Sequence, residues 1–448
     1  MRPLLSFLSK KAPALGLFIL LFSGLGNSYS VLTHEEVIDL LWKDQIQPLL
    51  LQKYPGATIA ELHTAHAYAY GGSVLQDMGY YPFGSKYFSD LVHYVRTGDF
   101  VDALLTQSSN LDEYAFALGA LAHYASDVTG HPIINRVVGI NFPKLRKKYG
   151  DRVTYADDPK KHIRTEFGFD MAQVAKNRYT SDSYHDFIGF EVSRPLLERA
   201  FLETYGLQLS EVYGSEDLAI GTFRHAIAVV IPQMTRAALL NRRKEIVHDT
   251  PDLNQKEFLY HLSRTTYKKE WGTTYRRPKL GARLLALFLR IIPKVGPFSA
   301  LAFTIPTAQT EDMYVKSINT TVDTYGTFLR DLNQGRIQFA NQDCDTGQPS
   351  RAGEYSLADT TYSRLLDDLN KKQFAGLSPE LQRDISKFYG NPSSPLTTKK
   401  NKKAWAKTLK ELDALKAHSA TTRRSERSEA ARPRGPASAS ADGAQGRD

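Results

Sequence analysis

Apolar residues along this chain recur mostly at helical spacing. From Asp112 to His131, DEYAFALGALAHYASDVTGH, this periodicity places His123, Asp127 and His131, at i, i+4 and i+8, on one helix face. Upstream, Thr33 and Glu36 have the form of a capping box and Val37, Leu40 and Leu41 continue an apolar stripe. A helix is therefore predicted there, with His34 at its first position. A second predicted helix covers Ala60 to Tyr70, carries His63 and His66, and stops at Gly71 and Gly72. A third runs from Lys86 to Thr97, with Phe88, Leu91, Val92 and Val95 apolar and His93 among them. Gly130 and Pro132 bracket His131 and mark the predicted end of the long central helix. From Arg194 to Ala340 several helical patterns follow, such as Ala219 to Leu240, without strand alternation. The expected fold class is all-α, and no internal repeat is visible.

Other stretches are set apart by composition. Arg2, Lys10 and Lys11, the apolar run from Ala14 to Leu25 and small residues around Ser28 and Ser30 read as a secretory signal, so the mature protein is expected to be exported, to the periplasm or beyond. Gly281 to Pro306 is the most apolar part of the mature chain. Arg283, Arg290, Pro293, Lys294 and Pro297 interrupt it too often for a spanning helix, leaving a buried helix or an interfacial one. After Pro395 a Lys-rich run leads into a short helix through Leu415 and then a low-complexity end expected to be disordered. The expected divisions are a signal peptide (1–30), a main helical region (31–270), a helical extension (271–395) and a basic tail (396–448).

With 448 residues and 42% hydrophobic content the chain can bury a sizeable core. Its single cysteine, Cys344, excludes an internal disulfide and a thiolate cluster, so any metal must rest on His, Asp and Glu. The formal charge of +9 is misleading. The signal contributes +3 and residues 396–448 contribute +7, which leaves the rest close to neutral and argues against a polyanion-binding surface there. The basic tail is by default a solvated one, with attraction to anionic lipid or nucleic acid as the functional alternative.

Singly, the candidate ligands are weak. His34 alone reads as a surface residue, His63-x-x-His66 as polar positions on a partly buried helix, and His93 as a packed histidine. Asp77 lies in GGSVLQDMGYYPFG, a loop that either lines a pocket or simply turns. His162 and Glu166, at i and i+4 in KKHIRTEFGFDM, suit either one metal ion or a surface pair. Accumulation changes the odds, because seven of the twelve histidines fall between His34 and His162.

Taken together, His34 near the mature N-terminus, Asp77 among aromatics, His93, the row His123, Asp127, His131, and the pair His162, Glu166 resemble the zinc-dependent phospholipase C and single-strand nuclease superfamily. LTHEEV and LAHYASDVTGH look closest to the phospholipase C-like domain of glycosylphosphatidylinositol-specific phospholipase D. The resemblance implies an all-α bundle, with residues 31–270 as the catalytic domain and up to three zinc ions in one cleft. By analogy His93, His123 and Asp127 hold one ion. Asp127 bridges to a second, shared with His34 and the mature N-terminal residue, and His131, His162 and Glu166 hold a third. Asp77 matches the family's loop aspartate, as general base, metal ligand or both. Two features depart from the family. Signal cleavage would expose Tyr29 or Val31 where well-known members have tryptophan, and the interval from His131 to His162 is long, with His185 as fallback.

Such a cluster suits phosphodiester hydrolysis, since zinc brings bound water to a pKa of about 7 and clamps attacking and leaving oxygens. The expected function is phospholipase C-like hydrolysis of phospholipid at a membrane surface. The alternatives are a single-strand nuclease on the same scaffold, the one reading with a nucleic-acid partner, and an inactive zinc-stabilised binding protein. The sequence points to no protein partner.

Overall fold

The computed structural model describes residues 30–176, 179, 189–231, 235, 302–336, 338–391 and 393–430. The expected signal before Ser30, most of the apolar segment 281–306, His185, His248, His261 and the tail after Ala430 lie outside them. Among the described residues the chain is all-helical, with one isolated bridge between Gln342 and Pro349 in place of any sheet. In chain order the helices are α1 (Val31–Leu41), α2 (Gln47–Lys53), α3 (Ile59–Ser73), α4 (Lys86–Tyr94), α5 (Thr97–Gln107), α6 (Leu111–Asn141), α7 (Pro143–Tyr149), α8 (Pro159–Ala175), α9 (Arg194–Tyr205), α10 (Leu209–Val212) and α11 (Glu216–His225). Then come α12 (Ala308–Asn333), α13 (Ser356–Lys371), α14 (Pro379–Phe388) and α15 (Lys402–Ala430).

The central element is α6. Asn110 caps it by accepting from the Glu113 amide, and the Glu113 carboxylate accepts from the Ser109 amide, so the first turn is closed before the apolar run begins. The helix is buried on nearly all sides and packs on α3, α12 and α8. Its contact with α3 is between backbones. A β-carbon at Gly72 would stand 2.0 Å from the Phe116 carbonyl oxygen, and one at Gly119 would stand 2.1 Å from that of Ala69. Gly71 and Gly72 therefore do not end α3, as local propensity predicts. The helix continues through them to Ser73 because they are where it meets its neighbours.

Pro132 likewise lies inside α6, which runs on to Asn141. Proline deprives the Val128 carbonyl of its helical donor, and there the backbone of Gly347 comes in so closely that a β-carbon would sit 2.3 Å from that oxygen. Thr33 is not part of a capping box either. Helix α1 starts at Val31, and the Thr33 hydroxyl donates instead to Asp170 on α8 at 2.7 Å.

Helix α12 lies along α6. The Tyr325 hydroxyl donates to the Leu118 carbonyl at 3.0 Å, and the hydroxyls of Thr129 and Thr321 are 2.7 Å apart. A strap, residues 338–355, then crosses α4, α5 and α6. Tyr124 donates to Ala340 O, Thr97 to Gln342 O, the Cys344 amide to His93 O, and Ser350 to Tyr94 O, at 2.7 to 3.0 Å. Helix α15 is longer than the helix predicted to end at Leu415.

Candidate metal centre

Each candidate side chain is placed by a local device. On α6 the row His123, Asp127, His131 points inward and all three are buried. Helix α8 starts at Pro159 with Asp158 accepting from the Lys161 amide at 3.0 Å, which puts His162 and Glu166 on successive turns. Asp77 is on a buried 3-10 turn, Leu75–Tyr80, where the sequence suggests a loop. That turn is tied down by Ser89 of α4, whose hydroxyl donates to Gln76 O at 2.6 Å and accepts from the Gly79 amide at 3.0 Å. The Ser89 carbonyl also fixes His93, accepting from its Nδ1 at 2.7 Å.

Asp127 is the hub. Its Oδ2 lies 3.1 Å from His123 Nε2 and 3.3 Å from His93 Nε2, and its Oδ1 lies 3.7 Å from His34 Nε2 and 3.9 Å from His131 Nε2. His34 stacks on His123 with centroids 4.2 Å apart. The tautomers of two rings follow from their partners: His93 Nδ1 faces Ser89 O, and His123 Nδ1 faces Ser73 O at 2.8 Å. Both Nε2 atoms therefore present lone pairs, and they face each other at 3.3 Å.

Two lone pairs and a carboxylate oxygen in a triangle of 3.3, 3.3 and 3.1 Å repel one another unless a cation sits among them. The size also fits, since ligands ~2.1 Å from a tetrahedral zinc stand ~3.4 Å apart. Asp77 Oδ1 lies 3.6 Å from His93 Nε2, and neither Asp77 oxygen has a hydrogen-bond partner among the described residues. A fully buried carboxylate without donors is costly, and a metal ion removes the cost. Among the described residues two triples have ligand atoms within 4.8 Å of one another: His93, His123, Asp127 and His34, Asp77, His123. This donor set, nitrogen and oxygen with no sulfur, fits zinc.

Proton affinities follow the charges. Burial pushes Asp77 well above the usual carboxylate range; the nearby His93 offsets part of this and Asp127 adds to it. Burial acts the same way on Asp127, but His123 and His131 together hold it well below that range. His34 is pushed well down by burial and by His123.

His131, His162 and Glu166 are adjacent but paired differently. The rings of His131 and His162 meet edge-on at 5.7 Å. Asn135 Nδ2 donates to the Asp345 carbonyl at 2.7 Å, so its Oδ1 faces His162 and accepts from Nε2 at 2.7 Å. His162 Nδ1 is then the acceptor, 2.6 Å from Glu166 Oε1. Burial and His131 push His162 down to about 3, while burial, Asp77 and Asp127 push Glu166 well up, so the proton between them belongs to Glu166. A divalent cation would take that proton's place.

The remaining sequence candidates are elsewhere. His66 stacks on Trp42 at 3.7 Å and contacts Asp39 at 3.1 Å, His63 is half-buried on the same helix, and His225 is exposed. Sequence reading missed Asp170, Asn135 and Asp345. Asp170 had a signal, since it completes an i, i+4, i+8 row with His162 and Glu166; it accepts from Thr33 Oγ1 and, at 3.2 Å, from the Leu32 amide. Asn135 is one turn beyond His131. Asp345 is far away in sequence, within an acidic turn that carries no spacing signal.

Residues 33–215 match the family model described as zinc dependent phospholipase C. No curated protein and no solved structure matches the chain.

Proposed function

We propose that the chain, whose residues 33–215 match the zinc dependent phospholipase C family model, is an exported phosphodiesterase hydrolysing phospholipids in the phospholipase C manner. The observation that carries this reading is the triangle of His93 Nε2, His123 Nε2 and Asp127 Oδ2 beside a carboxylate, Asp77, that has no hydrogen-bond donor among the described residues. His93, His123, Asp127 and Asp77 would hold one zinc and His34 with the other oxygen of Asp127 a second. His131, His162 and Glu166 would hold a third. Zinc supplies Lewis acidity toward the phosphoryl oxygens and a nucleophile at neutral pH.

The chain's own residues do the rest. Asp77, with no competing donor among the described residues, orients the attacking water or takes its proton. The rings of Tyr80 and Tyr155, 6.2 Å apart, wall the site, with Tyr80 6.0 Å from His93 and Tyr155 6.0 Å from His162. They keep the electrostatics strong by excluding water. The closer likeness to the glycosylphosphatidylinositol-specific enzyme and the periplasmic or extracellular location belong to the same proposal. The location rests on the pattern before Ser30, and no described helix is long and apolar enough to cross a membrane.

The test couples metal content to turnover in one preparation, using a phosphocholine lipid and single-stranded DNA. Two or three zinc per chain with lipid cleavage is the expected result. DNA cleavage alone would assign a nuclease, zinc without turnover a zinc-stabilised binding protein, and failure to bind zinc after reconstitution would remove the basis of all three.

A further inference from the structure

We infer that Asp345 is a positioning residue of the metal centre, orienting His131 with its carboxylate and His162, through Asn135, with its carbonyl. The centre is then completed by a strap lying beyond the stretch that matches the family. This rests on the zinc reading above.

Asp345 is buried, and each of its acceptors is committed. Oδ1 lies 3.1 Å from His131 Nδ1, within reach of a charge-assisted hydrogen bond. Oδ2 accepts from the hydroxyls of Tyr94, at 3.0 Å, and Tyr355. The backbone carbonyl accepts from Asn135 Nδ2, which turns Asn135 Oδ1 toward His162. A neutral imidazole has one N–H. Drawing it to Nδ1 leaves the His131 Nε2 lone pair facing Asp127, as Ser89 O and Ser73 O do for His93 and His123. Of these three rings, His131 is the one whose outer partner is a carboxylate, which also makes the imidazole a stronger donor to a metal.

The strap is built to reach this point. Asp343 folds it by accepting from the Thr346 amide with its side chain at 2.9 Å and from the Gly347 amide with its carbonyl at 2.8 Å. Gly347 has φ +66° and lies against the turn of α6 that Pro132 opens, where no β-carbon fits. The Cys344 amide binds the His93 carbonyl at 3.0 Å. The turn carrying Asp345 therefore touches α4 and α6 beside two of the proposed ligands.

The experiment titrates the full metal-free chain with zinc against a competing chelator and records its melting temperature without metal. Asp345→Asn and Asp345→Ala should weaken one zinc equivalent by about 10–100-fold, the usual effect of losing an outer partner. The other equivalents should stay near wild type in both variants, and so should the metal-free melting temperature of Asp345→Asn, whose side-chain oxygen can still accept from Tyr94 and Tyr355; Asp345→Ala, which leaves those buried hydroxyls without that acceptor, should melt lower. His131→Ala should weaken the same equivalent, and adding Asp345→Ala to it should cost little more. Tyr124→Phe, which loosens the strap at Ala340 away from His131, should leave zinc binding unchanged. Wild-type zinc titration in both Asp345 variants would overturn the inference, as would an equal loss in Tyr124→Phe. Absence of zinc from the wild-type chain would instead overturn the zinc reading on which it rests.

Discussion

Asp77 and His123 occupy the same centre but should fail differently. His123 touches Asp127 at 3.1 Å and belongs to both ligand triples, so His123→Ala should lower zinc content and activity together. Asp77 sits at one edge, and Asp77→Asn should lower kcat by about 10²–10⁴-fold with a smaller loss of zinc if it acts mainly on the water. Zinc analysis beside kinetics separates the two, and full activity in His123→Ala would sink the assignment of the site. Asp170 gives a prediction that needs no metal. Burial pushes it up to about 7, outweighing its bonds to Ser30, Thr33 and Leu32. Its folded pKa thus exceeds the unfolded one, so its contribution to stability is fully present below about pH 4 and is lost as pH rises through about 7. Denaturant unfolding at pH 5 and pH 8 should show a fall with pH that is smaller in Asp170→Asn. At this scale the ligand residues of α6 were legible because they share one helix period. Asp345 was not, because a contact made 214 positions from His131 has no local pattern.

At the scale of elements, hydrophobic periodicity located the helices and local breaker rules misplaced their ends. Gly71, Gly72 and Pro132 are poor helix residues in isolation, yet α3 and α6 run through them. The determining quantity is distance between backbones, which a single sequence does not carry. The same comparison predicts opposite signs for two glycine substitutions. Alanine is favoured over glycine in a helix by about 1 kcal/mol. At Gly221 of α11, where an added β-carbon meets nothing within 4 Å, alanine should stabilise the chain slightly. At Gly119 the β-carbon would lie 2.1 Å from a carbonyl oxygen that no rotamer change can move. The overpacking cost, about 1–3 kcal/mol or more, should exceed the propensity gain and lower the melting temperature. Equal melting temperatures for the two variants would contradict the close packing of α3 on α6.

The whole molecule raises the question of how much chain the centre needs. Composition suggests a main region ending near residue 270, and the matched stretch ends at Ser215. Yet the described helices on either side of residues 236–301 are packed together. Helix α12 covers α6 through Tyr325 and Thr321. It also reaches the start of α1, where Tyr314 shares a hydrogen-bonded group with Thr33 and Tyr179. Beneath it Lys176 and Glu311 form a buried ion pair at 2.8 Å. Removing α12 would take Glu311 away from that buried lysine and expose an apolar face of α6, each a large penalty against a net stability of only about 5–15 kcal/mol. Removing the strap would take away Asp345 and the donor to His93 O. A chain ending at residue 270 is therefore expected to be poorly soluble, to melt well below the full protein, and to hold less zinc even where some of it folds. Soluble yield, melting temperature and zinc per chain, measured beside the full protein, check this. A truncated chain with wild-type zinc and melting would mean that the matched stretch suffices, and that the later helices only rest against a centre complete without them.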